Sequence, residues 1–190
     1  MDVRVPGVDA IPMGFNLLYM LKAGLSNVAE GLASAKKGGS LAKKNYWLGA
    51  SWGAVWKDDV IASTGENARV QADQWVRNNS DWVRREDVPF DFYYRTMSKY
   101  RFHLCPPGAG IQAPKFAEAW AMRSVPVTLR YPAFVDLEKL GFPIVIVDKW
   151  EDLTQGTLEA YYNSPKYKKI NWDHVMQMLH LGPWSKRFLC

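Results

Sequence analysis

The chain has 190 residues, 48% hydrophobic and 23% charged, with a formal net charge of +5; this fits one domain with a full core and argues against extended disorder. Two cysteines, Cys105 and Cys190, exclude a disulfide scaffold and a four-cysteine zinc cluster. The first apolar stretch, residues 11–21, is broken by Pro12, Gly14 and Asn16 and is too short to cross a bilayer, while Asp2, Arg4, Pro6 and Asp9 before it do not suit a signal peptide.

In chain order, apolar residues at helical spacing (Phe15, Leu18, Leu21, Leu25, Val28, Leu32) predict a helix over residues 15–36, stopped by Gly38 and Gly39. Residues 45–50 read as a strand, 66–76 and 90–97 as helices. Residues 101–105 are β-compatible, 106–110 can only be loop, and Pro114 predicts a helix start, since a proline there loses no hydrogen bond. Residues 124–129 read as the next strand and residues around 134–140 as a short helix. Residues 143–147 form a β-branched run of the kind buried in a parallel sheet. Residues 150–162 and 170–181 are expected to be helical. This alternation predicts an α/β domain: a Rossmann-like three-layer fold with a parallel sheet.

Lysines cluster at Lys36, Lys37, Lys43 and Lys44 and again at Lys166, Lys168 and Lys169. Short runs of this kind are usually solvated faces, and no nucleic-acid motif accompanies them, so no nucleic-acid partner is expected. Several of the nine tryptophans (Trp52, Trp56, Trp75, Trp82, Trp150, Trp184) stand beside charge or glycine, which suits ring edges or an interface, with core filling the simpler reading for most. Asn78, Asn79 and Ser80 form a glycosylation sequon, relevant only in a secretory lumen.

The unit of strand, glycine loop and helix at residues 99–130 carries the chemistry. A helix that begins after a glycine turn aims free N–H groups and its positive end at the loop, where an anion such as a diphosphate can be held. Gly108 and Gly110 also fit a turn at positive φ, Lys115 and Glu118 fit a surface pair three residues apart, and Arg69 by itself fits a solvated helix residue.

The order of parts in this unit resembles the nucleotide-sugar-binding half of exostosin-like glycosyltransferases, one half of the two-domain GT-B architecture. It runs through Ser98, Lys99, the stretch Phe102 to Pro106, Gly108, then Phe116 with Glu118 and Ala119, then Val125, Pro126 and Val127. The likeness extends loosely to residues 40–160. It implies a donor-binding domain for a nucleoside-diphosphate sugar, whose sugar passes to a hydroxyl of a glycan or glycoprotein acceptor. Gly108 and Gly110 would supply the close loop, Lys115 and Arg69 the positive charge, and Glu118 the contact to the ribose hydroxyls. Lys115 stands where the family usually has Arg, a point charge in place of a bidentate fork. Arg123 and Ser124 replace a usual Gly-Cys pair, and Ala109 lies between the two glycines.

On this reading residues 1–40 form an N-terminal helical segment, 41–165 the nucleotide-sugar-binding domain, and 166–190 a C-terminal helix and tail. Only about forty residues precede the donor half, so an acceptor-binding domain or partner chain would supply the rest, or the chain is a fragment. The family implies the Golgi lumen. No cofactor or metal is implied: the chain has no Asp-x-Asp triplet, and His103, His174 and His180 lack the spacing of a metal pair. A packed strand position is the simpler account of His103. Asp148, Glu151 and Asp152 are candidates for a catalytic base, though they also read as the acidic start of a helix.

Two other readings stand beside it. One is a non-catalytic binding module with a glycosyltransferase-like fold. The other is an α/β-hydrolase, because Gly49 to Gly53 matches the Gly-x-Ser-x-Gly nucleophile elbow, with Ser51 followed by Asp148 and then His174 or His180. Against the hydrolase, only about one strand precedes residue 49, and no earlier glycine-rich oxyanion loop is visible.

Overall fold

The structure, a computed structural model, describes residues 11–37, 46–52, 67–108 and 110–180. Helices α1 (Leu17–Ala23) and α2 (Leu25–Lys37) come first, in place of the single helix expected. Gly24 separates them at φ +78°, a conformation that ends a helix cheaply only at glycine. Gly38, Gly39, Lys43 and Lys44 lie outside the described residues.

Five strands follow: β1 (Tyr46–Ala50), β2 (Val83–Arg85), β3 (Tyr100–Leu104), β4 (Val125–Leu129) and β5 (Val145–Val147). They form one all-parallel sheet in the order β2-β1-β3-β4-β5, flanked by helices as expected for a Rossmann-like three-layer α/β fold. Leu48 pairs across to Val83 and to Phe102, and Phe102 in turn to Val125. All five residues of β4 are buried, Thr128 among them, the both-faces burial of a central parallel strand. β2 is absent from the expectations. With one buried apolar residue and two exposed arginines it carries neither alternation nor an apolar run.

Between the strands run α3 (Ala68–Asn78), α4 (Phe90–Met97), α5 (Lys115–Ala121) and α6 (Pro132–Lys139). After β5 the expected helices prove shorter. A 3-10 turn (Trp150–Asp152) precedes α7 (Gln155–Asn163), which Thr154 caps through a reciprocal box with Thr157. Then come α8 (Pro165–Lys168) and α9 (Trp172–Met178), capped by Ser164 and Asn171.

Packing explains the tryptophans. Trp52, Trp75, Trp120, Trp150 and Trp172 are buried in the main core, and Trp47 and Trp82 pack against it half-buried, so core filling holds for the described rings. Trp56 and Trp184 lie outside the described residues. A second, smaller core joins Ala23 and Val28 of the first two helices to Tyr94 and Met97 of α4 and to Ala119 and Met122 at α5.

Candidate functional site

The strand order decides where a site belongs. The chain leaves β1 toward β2 on one side and leaves β3 toward β4 on the other, so the segments after β1 and β3 part and open a crevice at the carboxyl ends of these neighbours. Ser51 and Trp52 follow β1, and the loop from Cys105 to Pro114 follows β3. The glycine loop singled out in the sequence therefore stands at the topological switch point.

Arg69 reaches this loop from the first turn of α3. Asn67 caps that helix, its side-chain oxygen accepting from the N–H groups of Arg69 at 2.9 Å and Val70 at 3.3 Å. The guanidinium lies directly against Gly108: a Cβ placed on that glycine would be 2.8 Å from Arg69 Cζ. Neither Gly108 nor Gly110 has a positive φ; among the described glycines Gly14, Gly24 and Gly141 do. Gly108 thus leaves room for the Arg69 guanidinium, which a larger residue would push aside, and does not serve a positive φ. Its N–H donates to the Gly110 carbonyl at 3.1 Å, which closes the loop.

Lys115 and Glu118 lie on α5, which has seven residues, with Pro114 one position earlier than expected, at the cap. Lys115 Nζ donates to Tyr93 Oη at 2.8 Å, and Tyr93 Oη donates to Glu118 Oε2 at 2.9 Å. Tyr94 Oη donates to the other oxygen, Oε1, at 3.3 Å. Glu118 is buried, so both carboxylate oxygens are engaged by hydroxyls of α4. The resemblance-based set of Arg69, Gly108, Lys115 and Glu118 thus falls into two contacts, Arg69 against Gly108 and Lys115 joined to Glu118 through Tyr93. Gly110 lies further along the loop, with only the Gln112 carbonyl oxygen near the space a Cβ would take.

The electrostatics around Lys115 are those of a cluster of mixed charge. Burial pushes the Lys115 ammonium below its ordinary pKa, the Glu118 carboxylate and then Cys105 oppose this, and the guanidinium groups of Arg69 and Arg85 add to the depression. Arg85 ends β2, stacks 4.6 Å from the Trp52 ring and lies 3.6 Å from Asp73. Tyr93 is held well above the usual phenol range, first by burial and then by Glu118. Burial likewise pushes the Cys105 thiol up to about 12.

Next to this cluster Ser51 and His103 meet, Oγ to Nε2 at 3.2 Å, both buried. Parallel register puts them together, since Ala50 pairs with Leu104 and Gly49 with His103. They line a pocket with Glu86, Tyr93 and Tyr100 that has room for about one water. His174 and His180 are exposed, and Asp148 is paired with Arg130. Gly53, the last residue of the elbow motif, lies outside the described residues.

Tyr93, Tyr94 and Arg85 were missed as site residues. An adjacent tyrosine pair in a short amphipathic helix carries no spacing rule, and Arg85 sits in the strand that the sequence did not reveal. No protein-family model matches the chain, and no curated protein matches it.

Proposed function

We propose that the chain is the donor-binding domain of an exostosin-like glycosyltransferase that needs no metal, taking a nucleoside-diphosphate sugar whose sugar goes to a glycan hydroxyl. One observation carries this reading: the Arg69 guanidinium lies against Gly108 in the loop at the switch point of a parallel sheet, and its charge is felt at Lys115 on the helix that follows the loop. A diphosphate at the loop would draw on Arg69 and Lys115 for charge-assisted hydrogen bonds. The leaving nucleoside diphosphate gains negative charge as the glycosidic bond breaks, so the same cations favour the transition state over the ground state. A donor would rest on the rim of the crevice, because the pocket beneath has room for about one water. The ribose contact assigned to Glu118 by resemblance then requires the Tyr93 hydroxyl to yield Oε2 to the sugar.

Calorimetry with UDP- and GDP-sugars on the intact chain tests the reading. One donor should bind, and Arg69→Ala and Lys115→Ala should each weaken it about tenfold, the scale of one charge-assisted hydrogen bond. Absence of binding across the panel would sink it. Release or transfer of a radiolabelled sugar by the same chain separates an enzyme from a binding module.

The Ser51–His103 contact supports the second reading, a serine hydrolase. Fluorophosphonate labelling of Ser51 would establish that reading, and intact protein after prolonged exposure would remove it.

A further inference from the structure

The sequon Asn78-Asn79-Ser80, which the donor-binding reading leaves unused, lies where α3 ends and the chain turns into β2. It is the chain's one Asn-x-Ser/Thr triplet. Asn78 is the last residue of the helix, and both Asn78 and Ser80 are exposed. Gln74 Nε2, one turn back, donates to Asn78 Oδ1 at 3.1 Å, so the engaged atom is the amide oxygen and not Nδ2, the atom that carries sugar in an N-glycan. Asn79 is built differently. Its Nδ2 donates to the Trp75 carbonyl at 2.8 Å and its Oδ1 accepts from Trp82 Nε1 at 3.2 Å, which uses both ends of the amide to fix the turn. Asp81 follows Ser80, so Asn79 heads no sequon. The motif thus falls on the exposed asparagine of the pair and spares the structural one.

The fold leaves room for a bulky group at this point. All five strands are parallel, so the turn before β2 stands at their amino ends, while the glycine loop after β3 stands at their carboxyl ends. Along α3 the rise from Arg69 in the first turn to Asn78 in the last is about 14 Å. The N–H groups of Trp82 at 3.2 Å and Val83 at 3.0 Å both donate to the Asn79 carbonyl, so backbone bonds close the turn whatever Asn78 carries. A glycan there would extend into solvent away from the crevice. It would stand beside β2, the end strand of the sheet, where added bulk hinders pairing with another chain.

We propose that Asn78 is a site of N-linked glycosylation. The bond that forms joins Nδ2 to the anomeric carbon of a diphosphate-activated oligosaccharide; the carbon–oxygen bond to the diphosphate breaks, and one amide proton is released with the diphosphate. The Ser80 hydroxyl is the second group that the modifying enzyme recognises. Modification at Asn78 rests on the proposed function for its compartment, because a transferase acting on glycan or glycoprotein acceptors works in the lumen where such sequons are modified.

Mass spectrometry of the protein isolated from its own cells provides the test. Treatment with peptide N-glycosidase in water enriched in heavy oxygen should convert Asn78 to a heavy-labelled aspartate, read in the tryptic peptide of residues 78–84. The full chain, secreted from eukaryotic cells behind an added cleavable leader, should show an electrophoretic shift on the same treatment. Asn78→Gln and Ser80→Ala should lose that shift, and Ser80→Thr should keep it. Both positions are exposed, and unchanged thermal melts would verify folding. Unlabelled Asn78 in the native protein overturns the proposal, and so does a shift that survives Asn78→Gln, which would put the sugar elsewhere. Donor calorimetry uses the unglycosylated chain made in bacteria. Donor binding with an unlabelled Asn78 would therefore sink this proposal alone, and a labelled Asn78 without donor binding would sink the proposed function alone.

Discussion

The guanidinium of Arg69 fills the space that a side chain at Gly108 would need, with Cζ only 2.8 Å from the position of a Cβ. Gly108→Ala must displace Arg69 from the loop, whereas Gly110→Ala meets its nearest atom at 3.5 Å, an ordinary contact. On the proposed donor-binding reading, calorimetry should therefore show affinity for the nucleotide sugar falling about tenfold in Gly108→Ala, the scale of one charge-assisted contact, and unchanged in Gly110→Ala. Equal effects at the two glycines would show that Arg69 is not held by this approach.

The lowered pKa of Lys115 has a definite sign in stability. Between its folded value and the ordinary 10.5 the unfolded chain binds the extra proton, so this group's contribution is present above 10.5 and is lost as pH falls through the folded pKa. The raised groups Tyr93, Tyr94 and Cys105 act oppositely, lowering stability as pH climbs past 9 to 10, where the unfolded chain ionises first. A difference curve isolates the lysine. Urea denaturation of Lys115→Met and the parent should show the variant's relative stability highest at neutral pH and declining toward pH 10.5. A constant difference would mean that Lys115 titrates alike in both states.

Cys105 should be chemically inert in the folded protein. Its thiol is buried and pushed up to about 12, so almost no thiolate exists at neutral pH. In a Cys190→Ser variant, Ellman's reagent should release nothing from native protein and one equivalent after unfolding. Rapid native reaction would contradict the burial of the loop's first residue.

Arg123 adopts φ 54° at the end of α5, the left-handed conformation that favours glycine. Its guanidinium reaches Asp173 at 3.3 Å, but that carboxylate is largely exposed and the pair contributes little. Arg123→Gly should therefore stabilise the protein by about 1 kcal/mol in urea denaturation. A clear loss of stability would assign real weight to the bridge to α9.

Most of the architecture was legible because burial on both faces leaves a plain trace. Residues 143–147 are an apolar run and residues 124–129 are apolar apart from Ser124 and Thr128, and β5 and β4 lie within them. Residues 90–97 appear as helix α4 with the expected limits. Elements whose stability comes from neighbours left no such trace. β2 holds one buried residue and exists through its pairing with β1, and the break at Gly24 was hidden by apolar spacing that continues across it.

The candidate site divides along the same line. The sequence alone determined an α/β alternation, a glycine loop followed by a helix, and the presence of Arg69, Lys115 and Glu118, because these rest on local backbone preference and residue type. Only the tertiary structure decided that the loop stands at the switch point, that Gly108 is small to admit Arg69, and that Glu118 faces Tyr93 and Tyr94. The reason is physical: strand order, register and helix packing join residues far apart in the chain, and a contact such as Ser51 with His103, 52 positions apart, exists only once β1 and β3 lie side by side.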